Sequence, residues 1–265
     1  MFLATHQAAG QIRQDTRADI PGRWLANTPM LQHDNPKVRI QAQRLTQLKA
    51  TPAEKAVACF QFIRSLPFKS CGDPARATAP KVLKDGAGDC HTKGTLFVAL
   101  LRSIGIPARI HLVALRPAFL YGIISTEAVG IGHAFAEVFL DGRWHSVDAY
   151  AVDIKLGLAA RIRLLKEGLR SGYIVHMKGQ VAWDGSGDAF GHFSPDDPAS
   201  MPIEDFGVFD DPHQYYAGRG TPVPTWAEQA RWSISTALIN RRIKALRRSI
   251  SLRPAETTRR SEGGT

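Results

Sequence analysis

The spacing of apolar positions changes along this chain in the order helix, helix, strand, hairpin. Thr51 stands before Pro52 and three residues ahead of Glu54, a capping box with proline at the first helical position, so a helix is expected over 51–66 until Pro67 stops it. A shorter helix is expected over 38–48. Between residues 90 and 104, Leu96, Phe97, Leu100, Leu101 and Ile104 recur at three- and four-residue spacing. That predicts an amphipathic helix with Asp89 as its N-cap, Gly105 as its stop and Pro107 barring continuation. Residues 108–115 alternate as a strand does. Residues 133–140 and 143–148 flank Asp141-Gly142, a dipeptide suited to a type I′ turn, and read as a hairpin.

Elsewhere the pattern is weaker. Residues 68–80 read as a loop, and 116–132 as a long connection that serves as a lid or hides a short helix. A helix over 157–169 is followed by strands and loops thick in Gly, Pro, Asp and aromatics over 171–222, then a last helix over 226–252. The expected organisation is an irregular N-terminal arm (1–36), a core (37–150), an extension packed on the core (151–225), an amphipathic basic helix (226–253) and a disordered tail (254–265).

Composition narrows the function classes. With 265 residues, 44% hydrophobic and 22% charged, the chain can bury a sizeable core. The net charge of +10 suggests nucleic acid until it is located: residues 241–260 hold eight basic side chains and one acidic one. The body carries little excess charge, so no basic footprint for a phosphate backbone is expected on it. Trp232, Ile239, Ile243, Leu246 and Ile250 form a stripe, with Arg241, Lys244 and Arg248 on other faces. Such a helix packs on its own domain or contacts an acidic partner or an anionic membrane surface. Cys59, Cys71 and Cys90 fit neither a disulfide framework nor a zinc site, and no calcium or other cofactor motif is visible, so no metal and no cofactor are expected. The opening residues lack the apolar core of a secretory signal and no run is long enough to span a membrane, which suits a cytoplasmic protein.

Candidate chemistry centres on Cys90. A thiolate at a helix N-terminus meets unpaired N–H groups and the positive end of the helix dipole, which favour the anion, and Gly86-Ala87-Gly88 leaves room for a substrate beside it. The other reading is a small buried hydrophobe. A two-residue turn at Asp141-Gly142 puts Asp148 opposite Phe135 and one diagonal step from His133, all on one face. Diagonal neighbours lie roughly 7–8 Å apart, within reach of an imidazole and a carboxylate. The same parity sends His145 to the other face. His111 is a rival base, while the helix turns His91 about 100° away from Cys90. Together these residues describe a nucleophile, a base and an orienting acid, with the Cys90 backbone N–H as oxyanion donor and Gln61 as a weak candidate for the second donor.

These residues resemble the transglutaminase-like superfamily, whose core is papain-like. Gly86, Gly88, Asp89 and Cys90 match its Gly-x-Gly-Asp-Cys element, and Leu101, Arg102, Gly105, Ile106, Pro107, Ala108 and Arg109 its helix ending. His133, Ala134, Glu137, Val138, Trp144 and Asp148 fall on its histidine and aspartate strands, while Phe135 and Ala149-Tyr150 depart from the usual pattern. The resemblance covers about residues 52–150. It implies an α+β fold with the nucleophile at a helix N-terminus packed on an antiparallel sheet. It also implies a Cys-His-Asp triad acting on peptide or protein amides by hydrolysis, deamidation or transamidation through a thioester. The superfamily includes non-catalytic members, so a binding or scaffold module is the alternative.

Overall fold

Prolines and capping side chains set where the first helices begin. In a computed structural model, which describes residues 21–218 and 226–250, α1 spans Pro36–Thr46 and α2 spans Pro52–Ser65. Asn35 caps α1, and Thr51 and Glu54 close the expected capping box on α2. The expected loop over 68–80 holds a 3₁₀ turn at Pro74–Arg76 and then gives way to an unexpected helix, α3 (Ala79–Asp85), which Gly86 ends at a φ of +61°. Only two turns long and with Pro80 in its first turn, α3 shows too little periodicity to be read locally.

α4 spans Cys90–Ser103, with Asp89 as N-cap and Thr92 completing a capping box. The apolar stripe predicted one buried face; instead every residue from Thr92 to Arg102 is buried. Helices on one side and the sheet on the other enclose α4, and its two buried cations are met by carbonyls. Lys93 Nζ donates to the oxygens of Leu66 and Ala151, each at 2.9 Å, and Arg102 donates to those of Ala108 and Ala26.

β1 (Ala108–Leu115), β2 (Ile131–Leu140) and β3 (Arg143–Val147) follow as antiparallel strands, with a 3₁₀ turn at Pro117–Leu120 inside the long connection. Asp141 and Gly142 take φ of +50° and +81°, as a type I′ turn requires, and Leu140 pairs with Arg143. α5 (Ile154–Glu167) leads to the two-residue strands β4 (Ser171–Gly172) and β5 (Val175–His176), then β6 (Glu204–Phe209), α6 (Pro212–Gly218) and α7 (Trp226–Arg248). β6 pairs antiparallel with β1, giving a sheet ordered β3-β2-β1-β6, so a strand from beyond residue 150 completes the sheet of the core. The fold is α+β. Residues 1–20, 219–225 and 251–265, with the first part of the expected arm and the whole expected tail, lie outside the described residues, as does the side chain of Trp232.

The sheet separates two apolar layers, because successive strand residues point to opposite faces. Ile110, Leu112, Ala134, Ala136 and Val138 pack with α1, α2, α3 and α4. Val113, Ile131 and Phe135 pack with Phe119, Leu120 and Ile123, with α5, and with Ile239, Ile243 and Leu246 of α7. The apolar stripe of α7 is therefore buried within the chain, while Arg241, Lys244 and Arg248 remain exposed. Among the described residues no helix is long and apolar enough to cross a membrane.

Candidate active site

β3 ends at Val147, opposite Ala136, so the edge of β2 before that residue is free of a strand partner on this side. The start of α4 docks there, and the Ala134 N–H donates to the Cys90 sulfur, as does the N–H of His91. Cys90 is the first residue of α4, so its own N–H has no acceptor within the helix.

The chain leaves β3 at Asp148 on the face that carries His133. Both side chains are wholly buried, and His133 Nε2 lies 2.8 Å from Asp148 Oδ2. A third group completes the set. His192 Nδ1 lies 3.1 Å from the same Oδ2, and the Gly191 N–H donates to Oδ1. Burial opposes ionisation of Asp148, but the electrostatic pull and hydrogen bonds of the His192 and His133 imidazoles outweigh it and hold the carboxyl well below its usual range. An ionised carboxylate only accepts hydrogen bonds, so both imidazole nitrogens that touch it carry protons. The tautomers follow. Neutral His133 is protonated at Nε2 and presents a lone pair at Nδ1, which is buried and has no partner.

Burial lowers the His133 pKa to about 4; the neighbouring His192 adds to this, and Asp148 opposes it without prevailing. Burial also pushes the Cys90 thiol up, and the Asp89 carboxylate beside it acts in the same direction. This corrects the expectation of a stabilised thiolate. The residue that caps α4 places a negative charge where the helix dipole would have favoured one, and desolvation exceeds what the N–H groups supply. Both directions favour the neutral forms, a thiol at Cys90 and a neutral imidazole at His133, and no hydrogen bond joins the two, since His133 Nδ1 has no partner.

The neighbouring glycines and Gln61 have other places. Gly86 ends α3 in the left-handed region, and a Cβ on Gly88 would overlap Thr92 Oγ1, so both glycines serve helix ends. Gln61 is exposed on α2, whose Ala56, Cys59, Phe60 and Ile63 face the core, and it does not border the Cys90 cavity. It is not placed to donate to an oxyanion.

His111, His91 and His145 are each held by a partner. His111 binds Glu137 Oε1 and Asp205 Oδ1, each at 2.7 Å, and is not free to act as the rival base. His91 sits between the Tyr216 hydroxyl and the Gly132 carbonyl, at 2.9 and 3.2 Å. His145 Nδ1 lies 3.1 Å from the Gly187 carbonyl and its ring packs near Trp183, away from Asp148. Cys90 borders a cavity of about 60 Å³ walled mainly by Phe119, Ile123, Ile131, Ile174 and Ile239, with His192 and Cys71 at its edge. Among the described residues, His133, Asp148 and His192 also form the group whose donor atoms lie close enough together, within 4.8 Å, to share a metal ion. Those donors hydrogen-bond to one another.

Residues 39–149 match the sequence profile of the transglutaminase-like superfamily. The chain is transglutaminase-like over these residues. The chain is also similar to the solved structure of a proposed cysteine protease from Cytophaga hutchinsonii, at 22% identity and a TM-score of 0.41 over 52% of this chain and 44% of that one. A proposed protease from Parabacteroides distasonis is similar at 19% identity and a TM-score of 0.33, over 48% of this chain and 26% of that one. The match thus spans under half the length of either protein. Comparison with curated proteins returns no match.

Within the transglutaminase-like core, some motif residues are structural. Arg109 and Glu137 face each other across β1 and β2 as an ion pair, and the Arg109 guanidinium lies 4.0 Å from the centre of the Trp144 ring. His192 lies outside the matched segment and carries no local motif; only its chemistry as an imidazole marks it in the sequence.

Proposed function

We propose that this transglutaminase-like chain is a cysteine-dependent acyl-transfer enzyme acting on amide bonds, with Cys90 as nucleophile, His133 as base and Asp148 orienting the imidazole. The observation that carries the reading is the buried His133–Asp148 pair, whose tautomer leaves Nδ1 as an unpartnered lone pair. A buried nitrogen without a partner costs stability, and proton transfer during a reaction would give it one.

Because the thiol and imidazole rest neutral, attack and proton transfer go together. The Cys90 sulfur forms a bond to the amide carbon as its proton passes to His133 Nδ1. The carbonyl π electrons move to oxygen, where the Cys90 N–H is a donor to the oxyanion. The imidazolium, held by Asp148, then protonates the leaving nitrogen as the C–N bond breaks, leaving a thioester. Water or an amine attacks the thioester, gives its proton to His133 and releases the thiol. Water yields hydrolysis or deamidation, and an amine yields transamidation.

The test is acylation by p-nitrophenyl acetate, followed by peptide mass spectrometry. The expected result is an acetyl thioester on Cys90, with the acylation rate falling by about 10²–10⁴-fold in His133→Ala, the usual contribution of a general base. Absence of a Cys90 adduct, or equal rates in the two proteins, would overturn the reading and leave a binding module built on the same core.

A further inference from the structure

His192 has no part in a three-residue site, yet it occupies the centre of this one. It is 1% exposed, its ring lies 4.4 Å from the His133 ring, and it shares a single carboxylate oxygen with that residue. Its Nε2 is buried and unpartnered, so no other hydrogen bond fixes the ring. An apolar side chain would fill this space between Phe119 and His133 without leaving a buried nitrogen unsatisfied.

The backbone holds His192 there deliberately. Residues 189–191 form a strap: the Ala189 N–H donates to the Ser146 carbonyl, and the Ala189 carbonyl accepts from the N–H groups of Asp148 and Ala149. On its other side the strap is tied to His176 through the Gly191 carbonyl and to Gln180 through the Phe190 carbonyl. A displaced strap would remove two of the donors to Asp148, the Gly191 N–H and the His192 imidazole, together.

We propose that His192 is a positioning residue that divides Asp148 Oδ2 between two imidazoles and thereby sets the proton affinity of His133. This rests on the reading of His133 as the base. A carboxylate oxygen that accepts from two N–H groups gives less of its charge to either, so it stabilises the His133 cation less than it would alone. The His192 ring, tilted against that of His133 with centres 4.4 Å apart, opposes that cation further whenever it carries a charge. Both effects keep His133 neutral and ready to accept the Cys90 proton. The titratable groups around the pair are Asp148 beyond β3, and Cys90 and His91 at the start of α4, with Tyr150 near Asp148. Arg64, Asp153 and Arg161 border the cavity on the far side of Asp148 and His192.

The test reads His133 directly, by imidazole nitrogen NMR titration of the full chain, in wild type, His192→Phe and His192→Asn. Phenylalanine keeps a ring and removes both the shared bond and the charge; asparagine keeps an N–H near the Nδ1 position and removes only the charge. The expected result is an upward shift of the His133 midpoint by about one unit in His192→Phe, a tenfold rise in proton affinity, and a smaller rise in His192→Asn. His133 titrating in both variants where it does in wild type, or lower, would overturn the proposal. Should His192→Phe fail to fold, the direction of the shift in His192→Asn decides. Because the readout needs no reaction, it is separate from acylation of Cys90. An unreactive Cys90 with a shifted His133 sinks the enzymatic reading alone, and a reactive Cys90 with an unmoved His133 sinks the role of His192 alone.

Discussion

A methyl group on Gly88 would overlap Thr92 Oγ1, the atom that accepts from the Asp89 N–H and closes the capping box of α4. Thr92 would have to rotate and give up that bond, and Asp89 would lose part of its hold on the helix start. Gly88→Ala is therefore expected to cost about 1–2 kcal/mol, the usual worth of an N-cap, seen as a lower urea midpoint. Because Cys90 lies two residues on, the variant should also slow acylation of the thiol. An unchanged midpoint would show that the box tolerates the methyl. At this scale the place of Cys90 at the start of α4 and the contact of His133 with Asp148 were legible in the sequence, since a cysteine after a capping aspartate and a histidine and aspartate of matching parity are local signals. Gln61 was misread because a polar residue on a helix carries no mark of which way it faces.

At the scale of elements, the hairpin transmits the site. Its type I′ turn sets the register, the register sets the parity, and parity puts His133 and Asp148 on one face. α7 is held differently, by a few long-range polar contacts over an apolar stripe. Arg247 donates to both Asp153 carboxylate oxygens and to the Phe68 carbonyl, and Asn240 exchanges two hydrogen bonds with the backbone of Ser70. Arg247→Met would leave the buried Asp153 with only the N–H groups of Phe68 and Leu156 as hydrogen-bond donors. The expected loss is about 2–3 kcal/mol, measured by urea denaturation, and a loss below about 0.5 kcal/mol would mean that the apolar stripe alone holds α7. The stripe over Ile239, Ile243 and Leu246 was visible in the sequence. Its target was not, because periodicity states that a face is apolar without stating what it covers.

For the whole molecule, burial of titratable groups makes stability depend on pH. The folded state holds His133 neutral down to about 4, whereas an unfolded histidine takes up its proton near 6.5. Between those values the unfolded chain binds more protons, so the contribution of His133 is complete above about 6.5 and is lost as the pH drops towards 4. The carboxyl of Asp148, also depressed, adds a further loss below its unfolded value of 3.8. Lys93, lowered by burial to about 7, acts in the same sense at higher pH, its contribution growing from there towards its unfolded value. His111 is raised, so its contribution is complete below its unfolded value and declines only as the pH rises above it. Thermal denaturation should show the melting temperature falling between pH 6.5 and 4, and His133→Gln should flatten that fall; an unchanged slope would show that His133 is not the group responsible. Capping boxes, the Asp-Gly turn and the alternation of strands are short-range, so the sequence by itself determined where α2, α4 and β1 lie, where the hairpin turns, and which residues could meet on one face. Only the tertiary structure decided that β6 completes the sheet, that His192 shares Asp148 with His133, and that Cys90 rests as a thiol. Contacts spanning 44 positions, and the desolvation of a group by layers drawn from the whole chain, leave no local trace in the order of residues.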